Sequence, residues 1–70
     1  MIMPKFLIRY DSKLERTLVS SADPIKAYRK ATKKVQNIPP VENVYFIVDG
    51  FQVSVYDTES KERVAQIIEV

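Results

Sequence analysis

Proline marks both limits of the one helix this chain is expected to form. Asp23 suits an N-cap, where its carboxylate accepts an orphan backbone N–H, and Pro24 suits the first helical position. Asn37-Ile38-Pro39-Pro40 stops the same helix, because proline lacks an amide donor and pushes the preceding residue out of the helical region. Between these signals, at about 100° per residue, Ile25, Tyr28, Ala31, Thr32 and Val35 share one face.

On both sides of the helix the pattern is that of strands. Lys5–Tyr10 alternates, with Phe6, Ile8 and Tyr10 on one side and Leu7 and Arg9 on the other; Asp11-Ser12-Lys13 is turn chemistry, and a second strand is expected at Leu14–Ser20. A three-residue loop pairs Tyr10 with Leu14, Ile8 with Arg16 and Phe6 with Leu18, and sets Arg9 opposite Glu15. A loop one residue longer sets Arg9 opposite Arg16, which is repulsive, so the first register is preferred. Asp49-Gly50 is the strongest hairpin signal; it is expected to face Val48 with Phe51, Phe46 with Val53 and Val44 with Val55. The reverse side then carries Tyr45, Ile47, Gln52, Ser54 and Tyr56. Asp57-Thr58-Glu59-Ser60 is the next turn and Val64–Val70 the last strand, with either Val64/Gln66/Ile68 or Ala65/Ile67 toward the core.

The expected fold is therefore one α+β domain over residues 1–70, of order ββαβββ, in two layers. Its single helix packs through Ile25, Tyr28, Ala31 and Val35 on a mostly antiparallel five-stranded sheet. A β-grasp-like order, with the last strand central, fits the same pattern. Met3 followed by Pro4 reads as an alternative start, with Met1-Ile2 an added leader.

Composition removes most chemistry. With no Cys and no His, the chain has no disulfide, thiol nucleophile, imidazole acid–base group or common zinc ligand. Its one glycine, Gly50, rules out a Gly-rich phosphate loop. Asp49, Asp57 and Glu59 read as turn formers, and the Asp57-Thr58-Glu59 spacing lacks the further ligands and glycine of a Ca²⁺ loop. No catalytic residue, metal or cofactor is expected. No apolar run approaches the roughly 20 residues that span a bilayer, and no signal-peptide h-region is present, so a soluble cytoplasmic protein is expected.

The charge is unevenly spread. The net +2 hides five bases and no acid in residues 24–41, against six acids and two bases in 42–70. The helix carries Lys26, Arg29, Lys30, Lys33 and Lys34 opposite its apolar face, and so accepts like charges at i,i+4, which disfavours it. The plain reading is a solvated face that balances the acidic segment; the functional reading is a docking surface for phosphates or for an acidic protein. No base-reading side chain accompanies the stripe, and the sheet, taken from its segment charge, reads as acidic rather than as an RNA-stacking platform. Tyr45 and Tyr56, on the side away from the helix, are the second candidate surface: ordinary exposed tyrosines, or anchors of an interface. The last strand could further pair edge to edge with another chain.

Two likenesses accompany these residues. Ile38-Pro39-Pro40 followed by a strand and the turn at Asp49-Gly50-Phe51-Gln52-Val53 resembles the corresponding stretch of ubiquitin, without the C-terminal diglycine that conjugation needs. The order ββαβββ, with a helix introduced by Ala22-Asp23 and a tight Asp-Gly hairpin, is similar to some small phage-encoded inhibitors, anti-CRISPR proteins among them. That resemblance implies a compact, non-catalytic domain that blocks a nucleoprotein machine by occupying a charged surface. The expected function is thus a binding module or inhibitor for a protein or nucleoprotein partner with an acidic surface. Lys26, Arg29, Lys30, Lys33 and Lys34 would steer and Tyr45 and Tyr56 anchor. Direct nucleic-acid binding through the same helix and a subunit assembling through sheet edges, as a homodimer for instance, are the alternatives.

Overall fold

The computed structural model describes residues 2–70; Met1, half of the leader considered above, lies outside them. The elements run β1 (Lys5–Tyr10), β2 (Arg16–Ser20), α1 (Pro24–Lys34), a single 3₁₀ turn (Val41–Asn43), β3 (Val44–Asp49), β4 (Gln52–Asp57) and β5 (Arg63–Glu69). All five strands form one sheet in the order β2-β1-β5-β4-β3, with every neighbouring pair antiparallel. The last strand is therefore central, hydrogen-bonded to β1 and β4, and has no edge to offer; the edges are β2 and β3. Helix α1 covers one face of this sheet, and among the described residues no second layer covers the other.

The core lies between them. Phe6, Ile8 and Tyr10 of β1, Val19 of β2, Val44 of β3, Val53 and Val55 of β4, and Ala65 and Ile67 of β5 meet Ala27, Tyr28 and Ala31 of the helix. This settles the register of the last strand in favour of Ala65/Ile67, with Val64 brought partly against the core beside a bulge at Val55/Tyr56.

Three local expectations are corrected. β1 pairs with β2 through Ile8↔Thr17 and Phe6↔Val19, so Arg9 faces Arg16 rather than Glu15. The preferred register would have turned Arg16 and Leu18 inward. Leaving a guanidinium buried and unpaired costs several kcal/mol, against about 0.2–1 kcal/mol for one cross-strand charge pair. The register observed instead buries Val19 and Thr17 and lets the Tyr10 hydroxyl donate to Thr17 Oγ1 at 2.7 Å.

The β3–β4 hairpin closes through Gly50-Phe51, pairing Asp49↔Gln52, Val48↔Val53, Phe46↔Val55 and Val44↔Asp57. Gly50 takes φ 63° at the first loop position, as a type II′ turn requires. Faces are kept, but Phe51 moves from a paired core position to a turn where it is 98% exposed. On the helix, Ile25 is about half exposed while Ala27 is fully buried, so the packed face is rotated from the one expected. Alanine lets the helix approach the sheet closely, and Ile25 lies on the flank of the first turn. Asp23 caps the helix as expected, accepting from the Lys26 amide at 2.8 Å.

Candidate binding surfaces

The cap and the buried Ala27/Tyr28/Ala31 strip fix the rotation of α1, and that rotation turns all five cations outward. Lys26, Arg29, Lys30, Lys33 and Lys34 are exposed, and the first turn contributes no acid. Among the described residues the only ion pair is Arg63–Asp11, so none of the five is neutralised by a carboxylate. Lys30 Nζ donates to the Ser20 carbonyl at 2.7 Å, which ties the stripe to the end of β2. Lys33 and Lys34 sit in the last turn, where the helix dipole favours positive charge.

Tyr45 and Tyr56 stand directly opposite each other on β3 and β4, on the face the helix does not cover. Their rings stack with centroids 5.4 Å apart and planes 14° from parallel. Lys61 Nζ lies 5.6 Å from the centroid of Tyr45. Lys61 is held there by the β4–β5 turn, in which it takes φ 63° while Asp57 Oδ1 accepts from the amides of Glu59 and Ser60 at 2.8 and 3.2 Å. The two predicted surfaces are consequently back to back, with the sheet between them. One flat partner cannot touch both.

A third surface is absent from the sequence expectations. Arg9 and Arg16, opposed across β1 and β2, lie on the uncovered face together with Arg63, which is opposite Tyr56. Arg63 donates through Nε to both Asp11 oxygens at 3.2 and 3.0 Å, and its Nη2 lies 3.0 Å from Oδ2. These arginines, with Lys13, Glu15 and Gln66, line a depression of about 340 Å³. No local signal in the sequence marks it, because residues 9, 16 and 63 are joined only by long-range strand pairing.

The acidic character expected of the sheet is also corrected. Of the acids in 42–70, Glu42 is in the 3₁₀ turn, Glu59 and Glu62 are in the β4–β5 loop, and Asp57 and Glu69 share the helix-side register with Val44 and Phe6. Only Asp49, at the hairpin tip, is on the uncovered face, opposite Gln52. Among the described residues no group of three or more Asp or Glu gathers as a metal site would need, and no helix is long and apolar enough to cross a membrane.

No protein-family model, curated protein or solved structure matches this chain.

Proposed function

We propose that the protein is a non-catalytic binding module or inhibitor acting in the reducing cytoplasm, which docks on a larger protein or nucleoprotein partner through its basic helix, with the tyrosine-bearing sheet face as a second contact. The observation that carries this reading is the unbroken, unneutralised stripe of Lys26, Arg29, Lys30, Lys33 and Lys34 on a helix whose opposite side is fully committed to the core. Five like charges on one helix cost stability through their i,i+4 pairs and gain it back when an acidic surface is brought near. Because the tyrosines lie on the far side of the sheet, a composite partner that reaches both faces suits the geometry better than a single flat one. The lack of cysteine suits a reducing compartment.

The test is capture from host lysate by tagged wild type and by a Lys26→Glu/Lys30→Glu/Lys33→Glu variant, with and without nuclease. A protein partner that survives nuclease and is lost in the variant supports docking through the helix. Material that vanishes with nuclease favours the second reading, direct nucleic-acid binding, to which the displacement of acids from the sheet face lends weight. Equal capture by both proteins removes the helix from the interface.

A further inference from the structure

The uncovered sheet face carries a row of side chains that the docking role of the helix does not use. From one edge to the other it runs Arg16, Arg9, Arg63, Tyr56 and Tyr45, with Lys61 against the last ring. Arg16 and Arg9 share a rung with Gln66, and Arg63, Tyr56 and Tyr45 share the rung two residues further along β4, toward the same end of the sheet. We infer that this row is a binding site for single-stranded nucleic acid, with backbone phosphates held by Arg9, Arg16 and Arg63 and a base stacked on Tyr56.

The arginines give the first argument. Directly opposed residues on neighbouring antiparallel strands hold their Cβ atoms about 5 Å apart, and no carboxylate answers Arg9 or Arg16 among the described residues. Two guanidinium groups at that spacing repel each other in the free protein and converge on one anion when it arrives. Arg63 is oriented in advance. Its Nε and Nη2 are committed to Asp11, which fixes the plane of the guanidinium and leaves Nη1 without a partner among the described residues. Lys13 adds a fourth cation to the depression, Asp11 is already engaged, and Glu15 at the rim is the one opposing charge.

The second argument is the aromatic pair next to this cluster. Tyr45 and Tyr56 are stacked on each other, so each keeps one face turned away. On that outer side Tyr56 has Arg63 of β5 opposite it in register, and among the described residues neither another ring nor a cation–π contact engages its ring there. Tyr45 and Tyr56 are half-buried, and a cationic track beside aromatic rings with a reachable face is the combination that binds unpaired strands, whose bases are open to stacking. Gln52 and Gln66, joined Nε2 to Oε1 at 3.3 Å in the middle of the same face, add uncharged polar groups within reach of base edges. A duplex fits poorly, because the face is a flat sheet with no element that could enter a groove.

The site is tested by fluorescence anisotropy with labelled oligo-dT and oligo-U across a salt series, beside a duplex of mixed sequence. The expected result is binding to the single strands in preference to the duplex. Three phosphate contacts on a single strand give a slope of log affinity against log salt of about −2. Arg9→Gln with Arg16→Gln should weaken binding roughly tenfold. Tyr56→Ala should weaken it severalfold, roughly as loss of one stacked base does, and Tyr56→Phe should not. Glu15→Gln should tighten it. The Lys26→Glu/Lys30→Glu/Lys33→Glu variant should stay within about twofold of wild type at moderate salt, which separates this site from docking through the helix. Amide chemical shifts of the wild-type protein titrated with oligo-dT give the location without any substitution. Changes confined to β1, β2, β5 and the Tyr45/Tyr56 pair support the site, and changes centred on α1 overturn it. Absence of binding at low salt, or equal affinity for the duplex, overturns it as well.

Discussion

Tyr28 ties three parts of the chain together with one side chain. Its ring is fully buried on the helix, meets Phe46 of β3 edge to face at 5.8 Å and 79°, and its hydroxyl donates to the Pro39 carbonyl at 2.6 Å. Burial, reinforced by Tyr10 and Asp57 nearby, pushes its pKa up to about 12. In the unfolded chain the phenol ionises near pH 10. Between those values the unfolded state has lost a proton that the folded state keeps. The stabilisation is therefore complete below about pH 10 and lost as pH rises toward 12, by at most about 3 kcal/mol. Burial raises Tyr10 in the same direction. Thermal melts from pH 9 to 12 should show a steep decline for wild type and a shallower one for Tyr28→Phe, which starts about 1 kcal/mol lower for want of the hydrogen bond; parallel declines would clear Tyr28. Arg16 gives the opposite case. Arg16→Glu converts the Arg9–Arg16 repulsion into an attractive cross-strand pair and should stabilise by about 0.2–1 kcal/mol, while removing a phosphate contact. A denaturant titration checks the first effect and the anisotropy assay the second.

At the scale of elements, helix α1 shows what a sequence pattern conveys and where it stops. Its limits, its cap and its outward cations are local facts, written in Asp23-Pro24, in Ile38-Pro39-Pro40 and in the unmixed charges between them. Its rotation is not. Periodicity weights a residue by hydrophobicity, and so favours Ile25 over Ala27, whereas the sheet selects the smaller side chain because it allows a closer approach. Ala27→Leu should accordingly cost about 1–3 kcal/mol through overpacking, and Ile25→Lys should stay within about 0.5 kcal/mol. Calorimetric melts of the two variants decide whether the helix is seated as described; the reverse ranking would put Ile25 in the core. The β1–β2 register departs from the expected one for a related reason. A charge pair is conspicuous in the sequence and weak in energy, and the burial of Val19 in place of Arg16 outweighs it.

For the whole molecule, legibility follows sequence separation. The α+β class, one helix over five strands and the two outward surfaces of helix and hairpin could be read from neighbouring residues. The pattern admitted the central place of β5 as one of its strand orders without selecting it, and the arginine row was not legible, because both depend on pairings such as Arg9↔Gln66 and Tyr56↔Arg63 that no turn dictates. Strand order also decided the charge of the uncovered face. Summed by segment, residues 42–70 are acidic, yet all of the acids but Asp49 fall into loops or onto the helix side, and the face is left to Tyr, Gln and Arg beside the apolar Leu7, Leu18, Ile47 and Ile68.

The seam between β1 and β5 has one more consequence. Phe6 is opposite Glu69, and the Val70 amide donates to the Lys5 carbonyl at 2.9 Å, so the two ends of the folded unit are joined by a hydrogen bond. In topological terms the fold is a ring with one covalent link missing, and folding must close a loop almost as long as the chain each time. Supplying that link, by joining residues 5 and 70 through a short peptide, would remove the closure entropy from the unfolded state. In the chain-entropy picture that amounts to about 4 kcal/mol, and it would appear as a raised Tm at constant protein concentration. An unchanged Tm would instead mean that the ends already meet in the denatured ensemble. The circle would then be drawn by the sequence before the sheet exists.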